Sequence, residues 1–303
     1  MKILLLGHTG QVGWELGRSL GALGELIAPD RHMVDLERPS SLRQAIRDVR
    51  PDVVVNAAAY TAVDKAESEA ARARCINVDA VQIMAEEAHR VGAWLVHYST
   101  DYVFDGKKET PYLEDDPVNP LSVYGTTKMH GEQAIRSHHD RHLILRMCWV
   151  YSATGANFMK TILRLAQERQ ELRIVSDQYG APTSAELIAD VTALVLYRIH
   201  NGAHDDVSLA GTYHVAAAGE TTWYDFARYV VVLAAENGVA LKTTVDRIQP
   251  IATHEYPLPA ARPKNSRLDT SRLTIRFGLQ LPDWRYQVAR VMRMLTIGGS
   301  RET

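Results

Sequence analysis

The segment Gly7-His8-Thr9-Gly10-Gln11-Val12-Gly13 follows directly on the aliphatic run Ile3–Leu6 and leads into Val12, Leu16, Leu20 and Leu23 at helical spacing. An uninterrupted aliphatic run suits a strand covered on both faces, and the spacing after it suits a helix. Glycines at such a junction let the backbone turn tightly and approach a pyrophosphate, whose charge the first amides of the helix stabilise. A tight turn without a ligand is the competing reading of any lone glycine pattern. Here a second strand, Glu25–Ala28, ends near Asp30. An acid in that place can hydrogen-bond the adenosine ribose hydroxyls, so the pair of signals points to dinucleotide binding. Arg31 and His32 come next and tolerate a 2′-phosphate, which leaves NADH and NADPH both open. Asp35 and Leu36 lie where adenine could rest, with a solvated loop acid as the alternative for Asp35.

The same alternation continues. Ser40 and Ser41 are placed to cap a helix that runs to Val49 before Pro51, and Asp52–Asn56 is a third strand. A long helix is expected from Glu69 to Arg90, closed at Gly92, followed by strand Ala93–Ser99, helix Tyr124–Ser137 and strand His142–Arg146. Strands alternating with helices imply an α/β fold with a doubly wound parallel sheet of the Rossmann type. Later helices are expected at Asn157–Arg169, Glu186–His200, Thr222–Asn237 and Asp283–Thr296, with short strands at Arg173–Val175 and Gly211–Val215. We therefore read residues 1–150 as a dinucleotide-binding domain that also receives segments near 177–215. Residues 151–303 form mainly a smaller C-terminal substrate-binding lobe, with an interleaved boundary.

Composition limits the partners. Of 303 residues, 46% are hydrophobic and 23% charged, as in ordinary globular enzymes. A net charge of −2 offers no overall attraction to nucleic acid or an anionic membrane. Ile3–Leu6 is too short for a signal segment and no stretch is long enough to span a bilayer, so a cytoplasmic location is expected. Cys75 and Cys148 lack metal or disulfide spacing and are read as buried reduced residues, and the 12 histidines as mostly surface or loop residues.

The chemistry is expected at the ends of the third and fourth strands. Asn56-Ala57-Ala58-Ala59 offers small side chains that leave room for a ligand, or else a crowded packing point. Ser99-Thr100-Asp101-Tyr102 follows the fourth strand, and Tyr124 and Lys128 stand four apart, hence on one helical face. A tyrosine normally titrates near ~10, and a nearby ammonium lowers that value by favouring the phenolate. Tyr124 would then serve as proton donor, Lys128 would tune it and hold the nicotinamide ribose, and Thr100 would hold the carbonyl oxygen. Alone, this spacing is equally that of a lysine stem covering a tyrosine ring. The glycine loop and the Ser/Thr strand end favour catalysis.

Taken together these residues resemble the extended short-chain dehydrogenase/reductase superfamily and, within it, the dTDP-4-dehydrorhamnose reductase family. The likeness runs through GHTGQVGWEL at 7–16, RPDVVVNAAAYTAVDKAES at 50–68, HYSTDYVFDG at 97–106, VYGTTKMHGE at 123–132, WVY at 149–151, DQYGAPTSAEL at 177–187 and RPKNSRLDT at 262–270. The resemblance implies reduction of a nucleotide-linked keto-deoxysugar by NADPH or NADH, as in rhamnose supply for cell-surface polysaccharide. It further implies Tyr124, Lys128 and Thr100 as catalytic residues. Gly7, Gly10, Gln11, Val12, Gly13, Asp30, Asp35, Leu36, Ala59, Tyr60, Thr61 and Tyr98 would hold the dinucleotide, and Tyr60 replaces a histidine of many relatives. Thr100, Asp101 and Trp149 would touch the sugar nucleotide, although Trp149 also reads as a core aromatic. Arg262 is a candidate for the diphosphate, or a loop arginine that steadies the second lobe; Arg267 fits either part. Some members bind Mg²⁺ through glutamates at a dimer contact. Glu15 and Glu186 match two of those positions, but no acid matches near Met294, so no metal is expected and a homodimer stays open. Two other outcomes fit the same fold: an epimerase or dehydratase that recycles its cofactor, and a regulatory subunit resembling that of methionine adenosyltransferase.

Overall fold

The computed structural model describes residues 1–202 and 207–299; positions 203–206 and 300–303 of the expected second lobe lie outside the described residues. Its centre is a six-stranded sheet. The strands are β1 (Lys2–Leu6), β2 (Glu25–Ile27), β3 (Val53–Asn56), β4 (Trp94–Thr100), β5 (His142–Met147) and β6 (Gly211–Val215), in the order β6-β5-β4-β3-β1-β2. Every neighbouring pair is parallel. The chain leaves β1 towards β2 on one side and returns through β3 on the other. The carboxyl ends of β1 and β3 therefore flank a topological switch point, where open α/β sheets leave a crevice.

Both faces of the sheet are covered, which is why its strands read as continuous aliphatic runs. Leu4, Val54, Leu95 and Ile144 pack against α2 (Pro39–Val49), α3 (Ala80–Val91) and α4 (Val123–His138) through Leu42, Ile46, Met84 and Ile135. Ile3, Leu5, Val55 and Val96 pack on the other face against α1 (Gln11–Leu20) and α5 (Ala185–Asn201) through Leu16, Ile188 and Val195. That second cluster continues without a break into Met159, Phe226 and Trp284 from helices Phe158–Glu168, Trp223–Glu236 and Trp284–Gly299. Those later helices thus share one apolar core with the sheet. Small two-stranded pairs join its turns: Leu172–Val175 with Ile248–Ile251, and Val150–Tyr151 with Thr183–Ser184.

Local details differ from the sequence reading in three places. The helix before Pro51 starts at Pro39, so Ser40 and Ser41 lie inside its first turn; the cap position is Arg38, without a side-chain cap, and Ser41 Oγ donates to the Arg38 carbonyl at 2.9 Å. Proline needs no amide partner at a first turn, which makes it a better start than a serine one residue on. The long helix begins at Ala70 and is interrupted by a π-helical segment, Cys75–Asp79, before α3; Gly92, at φ +75°, closes it as expected. Cys148 is buried but Cys75, in that segment, is half-buried; both are free thiols. Most of the described histidines are exposed or half-buried, as expected, while His97, His139 and His214 are buried.

Candidate active site

A cleft of about 750 Å³ crosses the carboxyl ends of the parallel strands. Its floor is the glycine loop. Gly7 has φ +83°, and a Cβ there would stand 2.6 Å from the Ala58 nitrogen. A Cβ on Gly13 would stand 2.0 Å from the Gly7 carbonyl oxygen, so loop, β3 end and α1 meet backbone to backbone. Gly10, by contrast, meets nothing nearer than 3.5 Å and caps α1 without a side-chain hydrogen bond. The uncapped first turn of α1 opens on the cleft, and such a turn suits a pyrophosphate. This cradle fits the dinucleotide that the sequence implies.

Gly7, Gly10, Gln11, Val12, Asp35, Leu36, Ala59, Thr61, Tyr98, Thr100, Asp101, Tyr124, Lys128 and Trp149 line this one cleft, and Gly13 lies just beneath it. Three expected residues do not line it. Asp30 Oδ1 accepts the amides of His32 (2.8 Å) and Met33 (3.0 Å) in a turn, while the neighbouring Arg31 lines the cleft. Tyr60 turns its hydroxyl to Glu69 (2.9 Å). Arg262 pairs with Asp64 at 2.8 Å and lies over the Tyr102 ring, 5.9 Å from its centroid. Arg267 bonds Asn265 and Glu220 of the later part of the chain and reaches the Glu109 carbonyl of the first part.

The chemical end is assembled by two elements. Ser122 Oγ accepts the Gly125 amide at 3.1 Å and starts α4. Gly125 then lets that helix press on the turn after β4, since a Cβ there would stand 2.2 Å from the Tyr102 carbonyl oxygen. Tyr124 meets the Tyr102 ring edge-on at 5.7 Å. Burial and the Asp101 charge push the Tyr124 phenol up to about 12, with the neighbouring Thr100 hydroxyl opposing the rise. Thr100 Oγ1 donates to Asp101 Oδ1 at 3.1 Å, and burial raises the Asp101 carboxyl to about 6 while the Ser266 and Thr100 hydroxyls oppose the rise. Lys128 Nζ donates to the Tyr98 carbonyl at 2.6 Å and lies 3.0 Å from His97 Nε2.

Lys128 is not among the groups that shift the Tyr124 phenol. Burial lowers the lysine itself to about 8, Glu132 opposing, and the cation is directed at Tyr98 and His97. Desolvation governs the phenol.

Residues that the sequence reading passed over hold these groups in place. The π segment aims Asn77 outward from the helix ladder. Its Oδ1 accepts the Tyr60 amide (2.9 Å), and its Nδ2 donates to the Tyr60 carbonyl and to Thr127 Oγ1 (both 3.1 Å), tying the loop before Thr61 to α4. Nothing in a linear pattern marks a π turn. Trp149 both lines the cleft and stacks on Trp223, with ring centroids 3.6 Å apart, so its two readings hold together. Its φ of +48° is unusual for a large side chain, and Gly180 leaves space for the ring.

The two glutamates considered for Mg²⁺ are already neutralised: Glu15 pairs with Arg18 at 3.2 Å and Glu186 with Arg290 at 2.9 Å. Among the described residues, no group of three or more His, Cys, Asp or Glu could hold a metal ion. The donor set does not fit a hard cation.

Residues 1–297 match the family described as "RmlD substrate binding domain". The chain is 49% identical over 299 residues, 97% of its own length and 98% of the relative's, to a dTDP-4-dehydrorhamnose reductase of Escherichia coli (strain K12). The chain belongs to the dTDP-4-dehydrorhamnose reductase family. A solved member of the dTDP-4-dehydrorhamnose reductases, from Clostridium acetobutylicum, superposes with a TM-score of 0.88 at 36% identity, covering 97% of this chain and 99% of that one. Another, from Bacillus anthracis in complex with NADP, gives 0.87 at 33% identity, covering 97% and 100%. These likenesses span the sheet and the later lobe alike. Among the described residues no helix is long and apolar enough to cross a membrane.

Proposed function

We propose that the chain reduces the C4 ketone of dTDP-4-dehydro-6-deoxy-L-mannose to the alcohol of dTDP-L-rhamnose, using NADPH or NADH, as a cytoplasmic enzyme. The observation that carries this reading is the convergence of Thr100, Tyr124 and Lys128 on the cleft floored by the glycine loop. The loop amides and the first turn of α1 would hold the pyrophosphate, Asp35 and Leu36 the adenosine end, and Thr61, Tyr98 and Lys128 the nicotinamide end. Arg31, lining the cleft, supports acceptance of a 2′-phosphate. When bound, the dinucleotide supplies the hydride.

The side chains supply the rest. A phenol near 12 keeps its proton at neutral pH, so Tyr124 stands loaded as a general acid for an oxygen that becomes negative. Thr100, next to it, orients that oxygen. Asp101 and Trp149 would receive the sugar nucleotide, with Trp149 stacked between cleft and lobe. We read residues 1–150 with α5 and β6 as the dinucleotide-binding unit, and the remainder as the substrate-binding lobe. Arg262 would steady the wall behind Tyr102 rather than meet the diphosphate directly.

The deciding experiment follows NADPH and NADH absorbance on addition of dTDP-4-dehydrorhamnose and identifies the product. One dinucleotide oxidised per sugar, with a rhamnose product, is expected. Turnover of sugar without net oxidation would assign a cofactor-recycling epimerase instead. Absence of any turnover, with stable binding to a synthetase, would assign a regulatory subunit.

A further inference from the structure

Trp149 holds a backbone conformation, φ +48°, that large side chains rarely adopt, and such outliers persist only where the surroundings over-determine them. Two neighbours do so here. Trp223 stacks on the indole, with ring centroids 3.6 Å apart and planes 15° apart. Gly180 meets the same ring: a Cβ there would stand 2.6 Å from Cε2 and 2.9 Å from both Cδ2 and Cζ2 of Trp149. Near-equal distances to three bonded ring atoms put that point over the face of the indole, not beside its rim. On the Trp223 side, a Cβ over the ring would meet Trp223 atoms first, yet the three nearest atoms all belong to Trp149. Gly180 therefore backs the face opposite Trp223, and both faces are taken.

Neither neighbour is free to withdraw. Gly180 pairs with Thr221 in a short antiparallel ladder. Beside it, the Tyr179 amide donates to the Lys264 carbonyl at 2.8 Å, and the Tyr179 carbonyl accepts the Ser266 amide at 2.7 Å. Trp223 follows the second strand of that ladder, Thr221–Thr222, and its Nε1 donates to Gln178 Oε1 at 3.1 Å. Gln178 is held in turn by Thr253 at 3.1 Å, and the Phe158 ring lies 4.5 Å from the Trp223 ring. Of Trp149, Trp223 and Gly180, only Trp149 lines the cleft. With its faces covered, what it shows there is its rim. The quadrupole of an aromatic ring leaves the face negative and the rim positive, so a rim favours oxygen atoms and a face favours C–H groups.

We infer that Gly180 and Trp223 are positioning residues that clamp Trp149 between them, so that the sugar nucleotide meets the indole rim through a hydroxyl or phosphate oxygen and does not stack on the ring. This inference rests on the reductase reading of the same cleft. It makes Trp149 a wall of fixed position, and it makes Gly180, outside the cleft, a determinant of how much room the sugar has. A methyl at Gly180 has no space behind it, so the indole must leave its place. The dinucleotide cradle, built on the glycine loop and α1, is untouched by that movement.

The test uses dTDP-L-rhamnose and NADPH as separate ligands of the full-length protein, with no turnover. Gly180→Ala should weaken dTDP-L-rhamnose binding in calorimetry by at least about tenfold, as overpacking commonly does, with NADPH affinity within about twofold of the parent. In a Trp149→Leu background, where no ring stands over residue 180, the same change should cost no more than about twofold. An equal loss in both backgrounds, or a matching loss of NADPH binding, would mean that Gly180 acts through general packing and would overturn the inference. Proton spectra of bound dTDP-L-rhamnose decide between rim and face. Sugar and thymine protons beside a rim lie downfield of, or level with, their positions in the Trp149→Leu complex. Protons displaced upfield by Trp149 would show a ligand stacked on its face, and would overturn it too. If Gly180→Ala fails to fold, the spectra decide alone. Failure of the parent to bind dTDP-L-rhamnose would sink the reductase reading and this inference with it, whereas binding with the wrong variant pattern sinks the inference alone.

Discussion

Tyr124 has a hydroxyl whose proton burial secures, beside a threonine that can steady the oxygen receiving it. Removing that hydroxyl should leave the dinucleotide cradle intact. Tyr124→Phe is expected to lower kcat by about 10²–10⁴-fold, the usual worth of a positioned general acid, with cofactor affinity by fluorescence titration essentially unchanged. Asp101 yields a pH prediction. Its folded value of about 6 lies above the ordinary 3.8, so its contribution to stability is complete below pH 4 and is lost as pH rises through 6. Asn cannot ionise and keeps that contribution. The unfolding free energy of Asp101→Asn minus that of the parent should therefore grow by about 2–3 kcal/mol between pH 4 and 6.5 in urea titrations. A flat difference would contradict the burial argument. Among single residues, the sequence pointed to Thr100, Tyr124 and Lys128, which line one cleft, because a strand end and a four-residue helical spacing are legible in a linear pattern. Asp30 and Tyr60 also meet local partners that no spacing predicts: two turn amides in one case, Glu69 in the other.

Helix α4 carries Tyr124, Lys128 and the buried Glu132 on successive turns, so its seating shapes the cleft. Gly125 sets the closeness of its first turn to the strand end. Gly125→Ala should favour an isolated helix, yet its methyl would meet the Tyr102 carbonyl oxygen. We expect a net loss of about 1–3 kcal/mol in chemical denaturation, the common result of overpacking, with kcat reduced more than KM is raised. An unchanged or higher stability would mean that α4 can retreat freely. The elements themselves were legible wherever apolar residues keep a period, as in β1, β3 and α1, because burial on one or both faces writes the period. The π turn at Cys75–Asp79 was not, since its residues keep helical character while one hydrogen-bond step is lengthened. The start of α2 was misread for a related reason: serine and proline both suit a first turn, and only the backbone decides which leads.

At the scale of the molecule, one apolar cluster runs from the sheet into the later helices, and the Trp149–Trp223 stack fastens cleft to lobe. Rigidity across this junction comes from packing. Because Arg18 and Arg290 already satisfy Glu15 and Glu186, adding millimolar Mg²⁺ or EDTA should leave the melting temperature within about 1 °C, for want of a binding term to shift it. A clear metal-dependent rise would show that an arginine gives way. The alternation of strand and helix announced the fold class early. The pairing of β6 with β5 was not legible, since strand signals state that a segment pairs but not with which neighbour.

Strand β6 lies at one edge of the sheet against β5, yet it is separated from β5 by most of the chain that forms the outer wall of the cleft. A growing chain therefore makes β5 long before its last neighbour exists, and the helices Trp223–Glu236 and Trp284–Gly299 follow only after β6. Cutting the gene after residue 150 would release a sheet with a bare, aliphatic margin, prone to pair with copies of itself. Exchange of the outer part between relatives would succeed only if β6 travelled with its own inner half, so the unit that can be inherited or grafted is larger than either visible half.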